Sequence, residues 1–226
     1  MNGFNSIAID GPAGAGKSSL ARRLSKELGY IYVDTGAIYR SVGLAAHRRG
    51  LDTKNEIAVS AMLPEINIEM RYNDEGEQRM LLDGEDVSAE IRMPEISICA
   101  SNVSAMPAVR AYLLEMQRRM ARTHNVIMDG RDIGTVVLPD AELKIFLTAS
   151  AAARAQRRLL ELQGKSVKAD YDEVLRDIEY RDKQDTSRAA APLKAAEDAV
   201  RVDTSDIDFE QSAALLRSIV RERLGV

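Results

Sequence analysis

Residues 6–28 read SIAIDGPAGAGKSSLARRLSKEL, and this stretch decides the fold. Its first five residues, Ser6–Asp10, form a short apolar run bounded by glycine, which predicts a buried strand. Leucines recur at every fourth position within Ser18–Leu28, a spacing that predicts a helix. Between the two, Gly11–Ser18 matches the pattern G-x-x-x-x-G-K-[ST] at every fixed position. A strand, a glycine-rich loop and a helix in this order predict one βα unit of a parallel α/β sheet.

This loop has the composition of a phosphate-binding loop. Glycines let successive backbone N–H groups point towards a phosphate without a Cβ in the way, and the following helix adds the positive end of its dipole. Lys17 would neutralise the β- and γ-phosphates of a nucleoside triphosphate, and the Ser18 hydroxyl would ligate Mg²⁺. A glycine-rich turn that binds nothing is the alternative, and the complete motif between strand and helix argues against it. The predicted ATP-binding residues of the loop are Gly11, Pro12, Ala13, Gly14, Ala15, Gly16, Lys17, Ser18 and Ser19.

The composition narrows the possible partners. The chain has 226 residues, 31 Lys plus Arg against 35 Asp plus Glu, and a net charge of -4, so it lacks the basic balance of a protein that binds long nucleic acids. A single cysteine, Cys99, excludes a disulfide framework, and no export signal or run of about 18 apolar residues is present. We expect one cytoplasmic, monomeric domain over residues 1–226, with small-molecule substrates and no nucleic-acid or membrane partner.

The rest of the chain alternates strand and helix patterns. Helical spacing predicts helices at Ala37–Arg49 and Ala108–Arg122. Four further apolar runs predict strands at Tyr30–Asp34, Asn125–Asp129, Leu143–Thr148 and Ala199–Asp203. With the first strand, this alternation predicts a parallel sheet wrapped by helices.

The middle of the chain has a different pattern. Two strand-like runs, Ile66–Tyr72 and Arg79–Asp83, flank a turn-rich connection and predict an antiparallel hairpin. A hairpin within a βαβ series indicates an insert, which we place at about residues 63–105. Residues 1–62 and 106–226 would then form the core of the single domain.

The loop alone does not specify a reaction, because motor ATPases, GTPase switches and small-molecule kinases all contain it. No Asn-Lys-x-Asp motif for reading guanine is present, and the charge balance disfavours a motor that works on a polymer. Two more polar loops, residues 34–40 and 129–132, follow predicted strands. Ligands of such sheets bind at the carboxyl ends of the strands, so both loops would face the crevice of the phosphate loop. We therefore predict a kinase with a small acceptor.

Several segments together resemble the bacterial cytidylate kinase family. They are GPAGAGKSS, VDTGAIYR, LDGEDVS with EIR, DGRDIGTVV, KIFLTAS, and RDKQDTSR followed by AAPL, in this order over nearly the whole chain. The resemblance implies a nucleoside monophosphate kinase: a P-loop fold with a five-stranded parallel sheet, an insert that binds the monophosphate, and a helical lid at about residues 150–170. It also implies phosphorylation of CMP and dCMP by ATP with Mg²⁺.

The resemblance also implies roles for particular residues. Lys17, Arg131, Arg181 and Arg188 would be catalytic, and Arg154 and Arg158 of the lid would bind ATP. From its own place at a strand end, Asp129 would hold a Mg²⁺-bound water beside Ser18, with a purely structural cap as the alternative. The CMP-binding residues would be Thr35, Arg40, Ser101, Arg110, Arg131, Asp132, Arg181, Asp185 and Arg188.

Residue chemistry supports the implied choice of base. A carboxylate accepts from the N4 amino group of cytosine, the role implied for Asp132, whereas Arg110 and Ser101 would donate to the other base atoms. Uracil would place O4 against that carboxylate and be rejected. Arg181, Asp185 and Arg188 have helical spacing that would put them on one face, where an exposed ion-paired surface is the plainer alternative.

Two other functions remain open on the residues alone. One is a kinase for another small acceptor, such as UMP, AMP or a shikimate-like metabolite. The other is a nucleotide-sensing protein that keeps the loop without transferring phosphate.

Overall fold

The computed structural model of the chain describes residues 3–164 and 167–226. Its strands, numbered in chain order, are β1 Ser6–Asp10, β2 Ile31–Asp34, β3 Ile68–Tyr72, β4 Gln78–Leu82, β5 Glu85–Asp86, β6 Val126–Gly130, β7 Leu143–Thr148 and β8 Val200–Asp203. Its α-helices are α1 Lys17–Leu28, α2 Thr35–Arg48, α3 Glu56–Met62, α4 Pro94–Ser104, α5 Pro107–Thr123, α6 Ala151–Gly164, α7 Tyr171–Ser187 and α8 Phe209–Leu224.

Five strands form the central parallel sheet, in the order β2-β6-β1-β7-β8. β1 lies in the middle, and all five of its residues are buried, as its apolar run predicts. The five predicted parallel strands agree with those of the structure within one residue at either end. The α/β fold with a five-stranded parallel sheet wrapped by helices is confirmed.

Each face of the sheet is covered by its own apolar cluster. On one face, Ile7 and Ile9 of β1 pack with Leu20 of α1 and Leu216 of α8. On the other face, Ala8 packs in a larger cluster that includes residues of α2, α4 and α5 and of the antiparallel strands. Residues of β1 therefore alternate between two cores, which fixes the height of its carboxyl end relative to the helices on both sides.

The predicted hairpin is confirmed as β3 and β4, and the two-residue β5 extends it to a three-stranded antiparallel sheet. Two side chains join this sheet to β2. The Tyr72 hydroxyl donates to the backbone oxygen of Tyr32 (2.9 Å), and the Gln78 amide exchanges hydrogen bonds with the backbone N and O of Asp34 (2.8 and 3.2 Å). The boundaries proposed for an insert remain a prediction.

Helices α3, α4 and α8 were not predicted, and α4 is held in close contact with α2. A Cβ on Gly43 of α2 would lie 2.8 Å from the backbone N of Ala100 in α4. Only glycine allows the two backbones to approach this closely. This crossing sets the position of α4, which carries Ser101, one of the predicted CMP-binding residues.

Helices α6 and α7 pack against each other through a small separate cluster of Ala155, Val174 and Ile178. They occupy the region in which a lid was predicted, and Lys165 and Ser166 of that lid lie outside the described residues. No helix within the described ranges is long and apolar enough to cross a membrane.

Candidate active site

The phosphate loop leaves β1 and enters α1 as predicted. Gly11, Gly14 and Gly16 have φ angles of 148°, 76° and 88°, which side chains rarely adopt. A Cβ on Gly11 would lie 1.9 Å from the backbone oxygen of Leu147 in β7, so no other residue fits there. Gly16 caps α1 without a side-chain hydrogen bond. The first N–H groups of α1 therefore have no side-chain acceptor from the cap, as a phosphate site requires.

Lys17 is buried within the curve of this loop. Its Nζ donates to the backbone oxygen of Pro12 across the loop at 2.7 Å. Burial, with the nearby positive charge of Arg131, lowers the pKa of Lys17 to about 7. An anion bound in the loop would counter both effects, because a negative charge favours the protonated amine. The lysine is therefore held where a bound phosphate would stabilise its charge.

The two predicted metal-binding residues lie in direct contact. The Ser18 hydroxyl donates to Oδ2 of Asp129, the penultimate residue of β6, at 2.7 Å. The Tyr32 hydroxyl donates to the other carboxylate oxygen at 2.9 Å. Burial raises the pKa of Asp129, and the nearby charge of Asp34 raises it further, whereas Lys17 and the two hydroxyls lower it. Hard oxygen donors that lie beside a phosphate loop suit Mg²⁺.

Asp10, the last residue of β1, connects the phosphate loop with the segment that follows β6. Its carboxylate oxygens accept from the backbone N of Ile133 and of Gly134, both at 2.7 Å. These two residues begin a single π-helical turn, Ile133–Val137, which directly follows Asp132. A buried carboxylate thus holds the start of that turn next to the strand that carries the loop.

The polar loop after β2 contributes a second set of charges. The Asp34 carboxylate caps α2 by accepting from the backbone N of Ala37 (2.9 Å), so the helix begins at Thr35 and not at the predicted Ala37. Arg40 donates to the same carboxylate (3.0 Å), and its Nε is buried without a hydrogen-bond partner in the described part of the chain. The Thr35 hydroxyl donates to the backbone oxygen of Asp129 (2.7 Å). Arg40 therefore keeps a donor for an anion.

Five of the predicted CMP-binding residues form one ion-paired group, which we name the acceptor cluster: Arg110, Arg131, Asp132, Asp185 and Arg188. Asp132 is buried, pairs with Arg110 and accepts from Arg188 Nη2 at 3.4 Å. Arg131 Nε donates to Asp185 at 2.7 Å. The cluster joins α5, the turn after β6 and the end of α7. Its three guanidinium groups against two carboxylates leave a positive excess for a phosphate ester.

The predicted lid arginines differ in their surroundings. Arg154 is buried, and its guanidinium donates to the backbone oxygens of Ala149 (2.8 Å) and Ala13 (3.0 Å) and to both carboxylate oxygens of Asp182 (3.0 and 2.6 Å). Arg158 is exposed and pairs with Glu161 at 2.7 Å. Arg154 thus contacts the phosphate loop through Ala13, whereas Arg158 lies away from it in this conformation.

The interpretation of residues 181–188 as one helix face is wrong in part. The helix α7 ends at Ser187, and Arg188 follows with an extended ψ of 139°, from which its Nε donates to Ala191 O (2.7 Å). The Arg181 side chain is exposed and has no hydrogen bond or ion pair within residues 3–164 and 167–226. Ser101 is half-buried near the α4–α5 junction, where Arg110 Nη1 donates to Ser104 O (3.1 Å). Of these residues, the structure brings Asp185 and Arg188 into the acceptor cluster and leaves Arg181 outside it.

Three side chains at the site were not predicted: Asp10, Tyr32 and Asp182. Asp10 precedes the loop motif, and its polar side chain at the end of an apolar strand is the available signal. Tyr32 and Asp182 act through contacts with residues 97 and 28 positions away, so no local pattern marks them.

The arrangement separates two charged regions at one edge of the sheet. The loop of β1 offers N–H groups and Lys17 to a polyphosphate, and the acceptor cluster with Arg40 faces the same edge from β2, β6 and α7. Such a site binds two anions and supplies positive charge between them. Fold and site together define the class of the protein, a P-loop phosphotransferase.

Comparison with known proteins identifies the family within that class. A model of the family described as cytidylate kinase matches residues 7–222. The cytidylate kinase of Pelotomaculum thermopropionicum is 50% identical over 216 residues, covering 96% of this chain and 96% of the relative. The cytidylate kinases of Lactobacillus johnsonii and Syntrophotalea carbinolica are 46% and 48% identical over 223 and 226 residues, covering 99% and 100% of this chain and 96% of each relative. The chain belongs to the cytidylate kinase family.

Proposed function

We propose that the protein transfers the γ-phosphoryl group of ATP to CMP or dCMP, giving ADP and CDP or dCDP. The observation that carries this proposal is the buried Asp132 carboxylate between Arg110 and Arg188. A carboxylate accepts from the N4 amino group of cytosine, and the Arg110 guanidinium beside it would donate to an acceptor of the same base edge. Membership of the cytidylate kinase family supports this choice of acceptor.

The acceptor needs little activation. Its attacking oxygen belongs to a phosphate whose second pKa is about 6, so the oxygen is largely ionised at neutral pH. A general base is then unnecessary, and the protein must align the two phosphates and neutralise charge on the transferring group. Arg40, Arg131 and Arg188 would hold the acceptor phosphate, and Arg181 would join them on movement of α7. Ser101 would contact the base of the acceptor, and Thr35 would also bind CMP.

The donor would lie in the phosphate loop. Backbone N–H groups of residues 13–18 would bind its phosphates, with Lys17 between the β- and γ-phosphates. Arg154 contacts the loop through Ala13, and Arg158 would reach the donor when α6 and α7 move. The positioned positive charges stabilise the developing charge of the transferring group.

Mg²⁺ fits the residues present. No group of three or more His, Cys, Asp or Glu that could hold a metal occurs among the described residues, so the ion would be held mainly by ATP phosphates and water. Ser18 would ligate it directly, and Asp129 would accept from a metal-bound water. When bound, the ion would neutralise charge on the β- and γ-phosphates. We further expect a cytoplasmic monomer.

Acceptor profiling tests the proposal. With ATP and Mg²⁺, a coupled assay of ADP release compares CMP, dCMP, UMP, AMP and shikimate at equal concentrations. CMP and dCMP are expected to give the highest kcat/KM. A higher kcat/KM for UMP or AMP would overturn the cytosine assignment. Single-turnover ATP cleavage that depends on added CMP would identify an enzyme, whereas nucleotide binding without ATP cleavage would instead favour a nucleotide-sensing protein.

A further inference from the structure

The Asp129 carboxylate is held by hydroxyl groups at both oxygens. Ser18 of α1 donates to Oδ2 at 2.7 Å, and Tyr32 of β2 donates to Oδ1 at 2.9 Å. A carboxylate held at one oxygen alone can still rotate about its Cβ–Cγ bond. The second hydroxyl removes that freedom, so the plane of the carboxylate is fixed by two separate elements of the fold.

Tyr32 is itself held in place on all sides. Its side chain is buried in the cluster of Leu20, Leu24 and Ile127, between α1 and the sheet. The Arg22 guanidinium lies over the ring, 5.4 Å from its centre. Its backbone oxygen accepts from the hydroxyl of Tyr72. The phenol therefore has no room to turn away from Asp129.

We infer that Tyr32 is a positioning residue for the metal that accompanies the donor nucleotide, acting through Asp129. The inference rests on the proposed binding of Mg²⁺ beside Ser18 and Asp129. A hydroxyl has two lone pairs besides its proton, so Ser18 can donate to Asp129 and still offer a lone pair to a cation. Tyr32 occupies one lone pair of Asp129 and leaves the others for a metal-bound water.

Partners of this kind have measurable effects. Some groups orient a metal ligand, or the acceptor of a metal-bound water, without touching the ion. Such groups change the affinity for the metal by about 10- to 100-fold. Tyr32 contacts neither the loop glycines nor the acceptor cluster through any hydrogen bond of the described residues. Its removal should therefore change metal binding and leave acceptor binding unchanged.

The test compares Tyr32→Phe with Tyr72→Phe. Both variants lose one hydroxyl from neighbouring positions, but only Tyr32 contacts Asp129, because Tyr72 donates to a backbone oxygen. The first readout is the affinity of the complex with ADP for Mn²⁺, measured by electron paramagnetic resonance. We expect about tenfold weaker Mn²⁺ binding in Tyr32→Phe and wild-type binding in Tyr72→Phe. The second readout is turnover, in which Tyr32→Phe should need more free Mg²⁺ with an unchanged KM for CMP.

A double variant separates positioning from a general structural effect. In an Asp129→Ala background, Tyr32→Phe should have no further effect on Mn²⁺ affinity, because the acceptor through which Tyr32 acts is gone. Far-UV circular dichroism and thermal unfolding without metal check that each variant folds. Unchanged Mn²⁺ affinity in Tyr32→Phe, an equal loss in Tyr72→Phe, or a full effect in the Asp129→Ala background would overturn the inference. Mn²⁺ binding is read without acceptor or turnover, so a failure of the proposed reaction remains a separate result.

Discussion

Asp10 allows a prediction about stability that depends on its burial. The carboxylate accepts two backbone N–H groups, from Ile133 and Gly134, and both hydrogen bonds lower its pKa. Burial outweighs these hydrogen bonds, so the pKa of Asp10 rises from 3.8 to about 6. The negative charge of Asp132 contributes to this rise, and the positive charge of Lys17 opposes it. Asp10 therefore costs stability when it is charged in the folded protein.

The sign and the size follow from linkage. Because the folded pKa lies above the unfolded value, Asp10 contributes stability that is fully present below pH 3.8 and is lost as the pH rises through about 6. A shift of this size corresponds to about 3 kcal/mol at most, at 1.36 kcal/mol per pKa unit. Integrated over pH, the contribution is near zero at pH 7, about 1 kcal/mol at pH 5 and about 2 kcal/mol at pH 4.

Asp10→Asn isolates this contribution, because asparagine has the same shape and does not titrate. Its amide leaves one of the two N–H groups without an acceptor, a cost that is the same at every pH. Urea unfolding of both proteins from pH 4 to pH 7 gives their difference in free energy of unfolding. Other carboxyl groups, such as Glu69 and Asp86, have a lowered pKa, so their contribution to stability is lost in acid. This loss is the same in both proteins and cancels in their difference.

We expect the free energy of unfolding of the wild-type protein, relative to that of Asp10→Asn, to rise by about 1 kcal/mol when the pH is lowered from 7 to 5. The two proteins should have equal m values. A difference that stays constant with pH, or that moves in the opposite direction, would refute the reasoning. A constant difference would mean that the two N–H donors balance the burial of Asp10, and a difference of opposite sign would mean that they outweigh it.

Three further predictions concern the site. Lys17→Ala should keep its fold by circular dichroism and lose on the order of 10²–10³-fold in kcat, and wild-type turnover would contradict the donor site. Asp132→Asn should lower the ratio of kcat/KM for CMP over UMP by about 10- to 100-fold, and an unchanged ratio would count against base reading by this carboxylate. Asp182→Asn removes the negative charge that pairs with buried Arg154 and should lower the free energy of unfolding, measured in urea, by about 1–3 kcal/mol. As a control, Glu65→Gln removes the charge of an exposed ion pair and should lower it by less than about 1 kcal/mol.

Local sequence patterns were sufficient for the parts of the fold that bury a continuous apolar face. The parallel strands and the helices α1, α2 and α5 all have such a face. The two residues of β5 are both exposed acids, and the seven-residue α3 is too short to show a helical period. Their positions follow from tertiary contacts, which is why the sequence did not predict them.

The phosphate loop was predictable because its residues are contiguous and its chemistry is carried by the backbone. The arginines were not predictable in the same way. Arg154 and Arg158 are one helical turn apart on α6, yet one is buried against Ala13 and the other is exposed. Which of two arginines becomes buried depends on whether a carboxylate from another helix lies opposite it, and spacing along one helix does not contain that information.

Helix α7 illustrates what this pairing achieves. Asp182 and Asp185 are three residues apart on it, so they lie on neighbouring positions of one side. Asp182 binds Arg154, which contacts the phosphate loop through Ala13, and Asp185 binds Arg131 of the acceptor cluster. One helix turn therefore connects the phosphate loop with the acceptor cluster. Both carboxylates pair with arginines that nucleotide phosphates would also attract. Binding of either nucleotide would therefore weaken one contact of α7, and this would favour a movement of the helix that carries Arg181 with it.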